Sequence, residues 1–171
     1  MIAKRIYFEN AVYHVMSRGN NRQFILKAQD DKLNFLESLS KYKIRYDFKL
    51  YAFVLMDNHF HLLLEANSRH NVSKIMQAIL LSYSRKYRII HDYVGHLWQG
   101  RFNSKPIVGD VYIRECLEYV HNNPVRAKIV DDPQDYIWSS ARFYHGSPNK
   151  MLEDAVEIDR YENVSAITHL N

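Results

Sequence analysis

The sequence predicts an α+β protein: one antiparallel, ferredoxin-like sheet with helices on one face, plus a C-terminal tail. Three observations lead there. Apolar residues are 47% and charged residues 25% of the chain, with only 5 glycines and 4 prolines, which is globular proportion and excludes collagen-like and disordered classes. The length, 171 residues, suits one domain with a real core. Strand-like and helix-like periodicities follow one another in the order β-α-β-β-α-β-α, close to the split βαβ pattern. The expected division is a domain over residues 1–146 and an acidic tail over 147–171.

The elements read as follows. Residues 11–17 (AVYHVMS) alternate weakly and predict a strand, and 18–22 (RGNNR) a polar turn. Asp30 or Asp31 is placed to cap a helix over 33–42, where Leu33, Leu36 and Leu39 repeat. Residues 48–56 (FKLYAFVLM) and 59–65 (HFHLLLE) predict two strands joined by the Asp57-Asn58 turn. Asn71 or Ser73 is placed to cap a long helix to about His91, with the stripe Ile75, Ile79, Tyr83, Tyr87 and Ile90. Residues 95–103 are loop, and 105–108 (KPIV) an edge strand in which Pro106 is tolerated. Asp110 then caps a helix to about Asn123, stopped by Pro124, with Ile113, Cys116, Leu117 and Val120 as its buried stripe. A short helix over 125–130 and an acidic terminal helix complete the prediction.

Charge narrows the function. Residues 147–171 hold Glu153, Asp154, Glu157, Asp159 and Glu162 against Lys150 and Arg160, a net −3; with +4 overall, residues 1–146 carry +7. A basic body with 13 Tyr, 8 Phe and 2 Trp suits a polyanion with unstacked bases. The single cysteine, Cys116, excludes an intramolecular disulfide framework and an all-Cys zinc site. No apolar run approaches the roughly 18 residues of a membrane span, and MIAKRIYFEN lacks a signal-peptide core, so a cytoplasmic protein with no membrane partner is expected.

Two residue sets can carry chemistry. His59 and His61 flank Phe60 in a strand, so their side chains leave one face roughly 7 Å apart at the alpha carbons. That suits two nitrogen ligands on one metal, although such a pair also occurs on solvated strands. Tyr119 and Asn123 are four apart on the last helix and share a face, so an amide oxygen and a phenol would lie together. Tyr112 is the rival tyrosine. Tyr119 read as a boundary residue and Asn123 as a cap before Pro124 are the plainer alternatives. A phenol is a poor nucleophile at neutral pH, and a divalent ion beside it can polarise a phosphate and orient in-line attack.

In sequence order, SRGNNRQ, LMDNHFHLLLE, LWQGRFNSKPI, EYVHNNPVRAKIV and YIWSSARFY resemble the single-tyrosine transposases of the His-hydrophobic-His class. They are most similar to the REP-associated tyrosine transposases and their insertion-sequence relatives, over residues 13–144. The resemblance implies a ferredoxin-like catalytic domain that cleaves and rejoins single-stranded DNA carrying hairpins or palindromes, through a 5′-phosphotyrosine. It places the paired histidines on His59 and His61, the nucleophile on Tyr119 and a third, amide ligand on Asn123. It also implies Mg2+ or Mn2+, where imidazole alone would favour zinc. It is compatible with a monomer and with a homodimer. From Pro148 to Asn171 the sequence matches no motif of the family that can be named.

For DNA binding, the donor-rich loop Arg18, Asn20, Asn21 and Arg22 is one candidate group. Trp98, Gln99 and Arg101 (a ring, an amide and a cation) are a second, with Lys105 and Arg126 flanking the site. Trp98 read as a core residue is the alternative, and Trp138 is expected to be packed. From a different functional class, a domesticated nucleic-acid-binding module without cleavage activity is the competing hypothesis, opposed by the joint presence of His59, His61, Tyr119 and Asn123. A relaxase-type initiator and a simple phosphohydrolase rank below both.

Overall fold

The structure, a computed structural model, describes Phe8 and residues 11–147 and 149–161. Most of the amino-terminal decapeptide and residues 162–171 of the expected tail lie outside the described residues.

Strands β1 (Val12–Arg18), β2 (Lys49–Leu55), β3 (His59–Glu65) and β4 (Asn103–Ile107) form one sheet in the order β2-β3-β1-β4, with every neighbouring pair antiparallel. Helices α1 (Gln29–Tyr46) and α2 (Val72–His91) cross over between the strands and pack on one face and on each other. Alternation in β3 decides what goes where. Phe60 points towards these helices, its ring 4.6 Å from that of Phe35 on α1 and 5.5 Å from that of Trp98. His59 and His61 therefore leave the opposite face.

This is the expected α+β class, with one addition. Helix α3 (Asp110–His121) does not join α1 and α2. It lies across the histidine face, over β2 and β3, with Ile113, Cys116, Leu117 and Val120 buried beneath it. Its apolar stripe could be read from spacing; which sheet face it covers could not. The histidine-bearing face is thus partly roofed by α3.

Several boundaries move. Helix α1 starts at Gln29 after Ala28, with no side-chain cap, so Asp30 and Asp31 are first-turn residues and not caps. Asp31 is buried and accepts from His91 Nε2 at 2.7 Å. Asn71 does cap α2, accepting from Lys74 N. Ile90 is exposed and leaves the predicted stripe, while Val72 and Met76 supply burial at the start of α2. Gly109, with φ 95°, precedes α3, and Asp110 is that helix's first residue rather than its cap. The chain turns at Asn122 into the short helix α4 (Asn123–Arg126), which starts two residues before the expected 125–130.

The tail region packs on the body. Helices α5 (Ala141–Tyr144) and α6 (Lys150–Ala155) follow, and Leu152 and Val156 are buried. The outer edge of β2 is occupied by later backbone. Leu55 N–H donates to the Trp138 carbonyl at 2.9 Å, Ser140 N–H to the Phe53 carbonyl at 3.0 Å, and Asp159 N–H to the Leu50 carbonyl at 2.9 Å. Trp138 is buried, as expected. No helix of the described residues is long and apolar enough to cross a membrane.

Candidate active site

The site is built where β1 and β3 run side by side under α3. The register pairs Arg18 with His59, Met16 with His61 and His14 with Leu63, so Arg18, His14, His59 and His61 share one sheet face. Across β1 on the other side, Lys105 of β4 is paired with His14. The last turn of α3 brings Tyr119 over the same patch. Its ring stands edge-on to His61 at 5.7 Å between centroids and to His14 at 5.6 Å. Tyr119 is 37% exposed, so part of the side chain meets solvent. Arg126 of α4 lies over the outer side of that ring at 4.9 Å. Tyr112, the rival tyrosine, is 63% exposed near the start of α3.

Each histidine has its Nδ1 engaged. His59 Nδ1 lies 2.6 Å from Asn58 Oδ1, which as an acceptor requires the hydrogen on Nδ1. His61 Nδ1 lies 2.9 Å from Nε2 of His14. Nε2 of each is the atom presented to a ligand. Burial, then Arg18, holds His59 down at about 4; burial, then His14, His59 and Arg18, holds His61 down at about 3. Burial and then Lys105 lower His14 as well. At neutral pH all three rings are uncharged, the form that can coordinate a metal.

Asn123 does not continue α3. That helix ends at His121, and the Asn123 amide nitrogen donates to the carbonyls of Tyr119 (2.8 Å) and Val120 (3.3 Å). The amide oxygen is thereby turned away from the helix end. Among the described residues, no three His, Cys, Asp or Glu side chains converge as a metal site. Two neutral imidazoles and an amide oxygen are donor types that a divalent ion accepts, and His59, His61 and Asn123 are the residues that would hold one.

The remaining candidates divide. The loop at Gly19–Arg22 is pinned beside the histidine strand: Gly19 N–H donates to the Asn58 carbonyl at 2.8 Å, Asn20 N–H to that of Leu97 at 2.8 Å, and Asn58 Nδ2 to that of Arg22 at 3.4 Å. Asn21 and Arg22 both have positive φ, and a Cβ at Gly19 would collide with the Gln23 carbonyl. Arg18 Nε is buried with no hydrogen-bond partner among the described residues, which suits an anion. Gln99 joins the loop through its N–H to the Arg18 carbonyl at 2.8 Å, and Arg101 is exposed in the turn that follows. Trp98 is half-buried: its ring packs against Phe35, Phe60 and Tyr83 at the rim of the core, and its indole N–H donates to Ser84 at 3.0 Å, the packed alternative named for it. His14 was missed. A lone histidine in a strand carries no spacing signal, and its partner lies 47 residues away.

Comparison with known proteins agrees with this architecture. A protein-family model described as "Transposase IS200 like" matches residues 7–123, a span that contains both histidines and ends on Asn123. The fold is similar to that of a REP-associated tyrosine transposase bound to a REP hairpin, with TM-score 0.68, 18% identity and 94% of each chain covered. It is also similar to a protein of Deinococcus radiodurans R1 described as a transposase candidate, with TM-score 0.50 and 20% identity over 71% of this chain and 97% of that one. No curated protein matches it. With more than half of its residues matched by the family model, the chain belongs to the IS200-like transposases.

Proposed function

We propose that this transposase cleaves and rejoins single-stranded DNA through a phosphotyrosine on Tyr119, with Mg2+ or Mn2+ held by His59, His61 and Asn123. The observation that carries the reading is the Tyr119 ring standing over His61 within a single chain. A hairpin-bearing strand is the proposed substrate, by analogy with the hairpin-bound relative.

The chemistry follows from the residues. The Tyr119 oxygen attacks phosphorus in line; a tyrosine–phosphorus bond forms, the bond from phosphorus to the 3′ oxygen breaks, and that oxygen leaves as a hydroxyl after gaining a proton. The phenolic proton is lost to solvent in the same exchange. Attack by a 3′ hydroxyl reverses the step, releases Tyr119 and restores a phosphodiester without a nucleotide cofactor. When bound, the ion supplies Lewis-acid polarisation of the scissile phosphate. Arg18, Lys105 and Arg126 set positive charge around the histidines and tyrosine, where a phosphate would sit. The Asn20–Arg22 loop and Gln99 extend this surface along the strand's path.

The test is covalent trapping. Protein incubated with Mn2+ and a single-stranded hairpin oligonucleotide containing its target site should give an adduct that survives denaturation. Tyr119→Phe should abolish the adduct and keep DNA binding. Cleavage retained in Tyr119→Phe, with the adduct mapped to another tyrosine, overturns the assignment. Metal-independent binding with no adduct on any substrate would instead identify a module that has lost cleavage.

A further inference from the structure

We propose that His14 is a positioning residue of this site, locking His61 in its ligating tautomer while bracing the ring of Tyr119. The proposal rests on the reading of His59 and His61 as metal ligands.

His14 sits in β1, which is flanked by β3 on one side and β4 on the other, so its backbone has little freedom to drift. Its ring lies nearly parallel to that of His61, 12° between planes and 5.1 Å between centroids, with Nε2 2.9 Å from His61 Nδ1. A hydrogen bond between two neutral imidazoles has one donor and one acceptor. A ligand on His61 Nε2 requires the hydrogen at His61 Nδ1, so His14 must accept at Nε2 and carry its own hydrogen on Nδ1. One bond thus fixes the tautomer of both rings and the torsion of the ligand ring.

The second contact makes this more than ligand support. The same imidazole meets Tyr119 at 78° and 5.6 Å. A ligand from β3 and a nucleophile from α3 are therefore both referenced to one side chain on a third element. An apolar ring of similar size would preserve the packing against Tyr119 but offer His61 no acceptor. Glutamine would restore a polar atom near the Nε2 position.

The test separates these roles. Mn2+ affinity of the full chain is measured from the free-ion resonance, alongside thermal unfolding, for the parent, His14→Phe, His14→Gln and His61→Ala. His14→Phe should unfold near the parent temperature yet bind Mn2+ roughly 10–100-fold more weakly. His14→Gln should recover most of that loss. If His14→Phe fails to fold, His14→Leu takes its place as the apolar arm. Parent affinity in the apolar variant, with His61→Ala weakened, overturns the role of His14 and leaves the metal site standing. Equal losses in the apolar and glutamine variants also overturn it. A parent that binds no Mn2+, or a His61→Ala variant that binds as the parent does, sinks the metal-site reading itself.

Discussion

The turn that delivers His59 is held by a buried cation, and removing its partner should cost more than removing the cation. Lys32 is 3% exposed on α1, and its Nζ lies 2.9 Å from Asp57 Oδ1, 3.2 Å from the Lys27 carbonyl and 5.6 Å from the centre of the Trp138 ring. In Asp57→Ala the ammonium keeps only the carbonyl and the ring face. Stranding a buried charge costs about 3–5 kcal/mol, and because Asp57 is itself half exposed, water entering its place brings this to about 2–3 kcal/mol. In Lys32→Met the apolar stem stays packed and Asp57 turns to solvent, so the loss is about 1 kcal/mol. The double variant should resemble Lys32→Met, giving a coupling energy of about 2–3 kcal/mol. Urea unfolding of the four proteins, compared at a common m-value, measures this. Lys32→Met losing more stability than Asp57→Ala, or losses that simply add in the double variant, would refute the reasoning.

Two further outcomes are expected. His121 is buried against Ser140, its Nε2 2.8 Å from that hydroxyl, and burial, then His145, lowers it to about 3. The unfolded chain protonates near 6.5, so this contribution is complete above that pH and is lost as pH falls from 6.5 towards 3; by pH 5 the loss amounts to about 2 kcal/mol. Urea midpoints in chelator should therefore drop between pH 7.5 and 5, more than in a His121→Gln variant, and a flat profile contradicts the assignment. Trp98→Phe should lose about 1–2 kcal/mol through the indole N–H bond to Ser84 and lost ring volume, with unchanged affinity for single-stranded DNA; weakened binding in a protein that remains folded would return Trp98 to the DNA surface.

What the sequence made legible is what local spacing encodes. The pattern in 59–65 placed β3 at its observed bounds and set both histidines on one face, and the pair Asn71 or Ser73 announced the start of α2, where Asn71 is the cap. The stripe Ile113, Cys116, Leu117 and Val120 identified the buried side of α3. Features that depend on which elements meet were not legible. The choice of sheet face for α3, the bond from His14 to His61, and the seating of Trp98 among Phe35, Phe60 and Tyr83 all join residues far apart in the chain. Position 98 shows the difficulty: tryptophan beside Gln99 and Arg101 has the chemistry of a base-stacking group, and only its neighbours in space reveal that the ring also packs against the core. The α1 boundary moved because residues 29–32 form a first turn without any capping side chain.

The closure of β2 bears on how the molecule is made. Residues that complete its outer ladder arrive 87 positions after Phe53 and 109 after Leu50. On the ribosome, the histidine strand and its companion are synthesised long before that ladder can be satisfied, and contacts of such long sequence separation form slowly. A product terminated before Trp138 would carry the tyrosine and both imidazoles yet present bare peptide groups along β2, inviting strand addition from another chain. The outer edge of β2 therefore stays open to pairing with another chain until the segment from Trp138 to Asp159 has been made and docked.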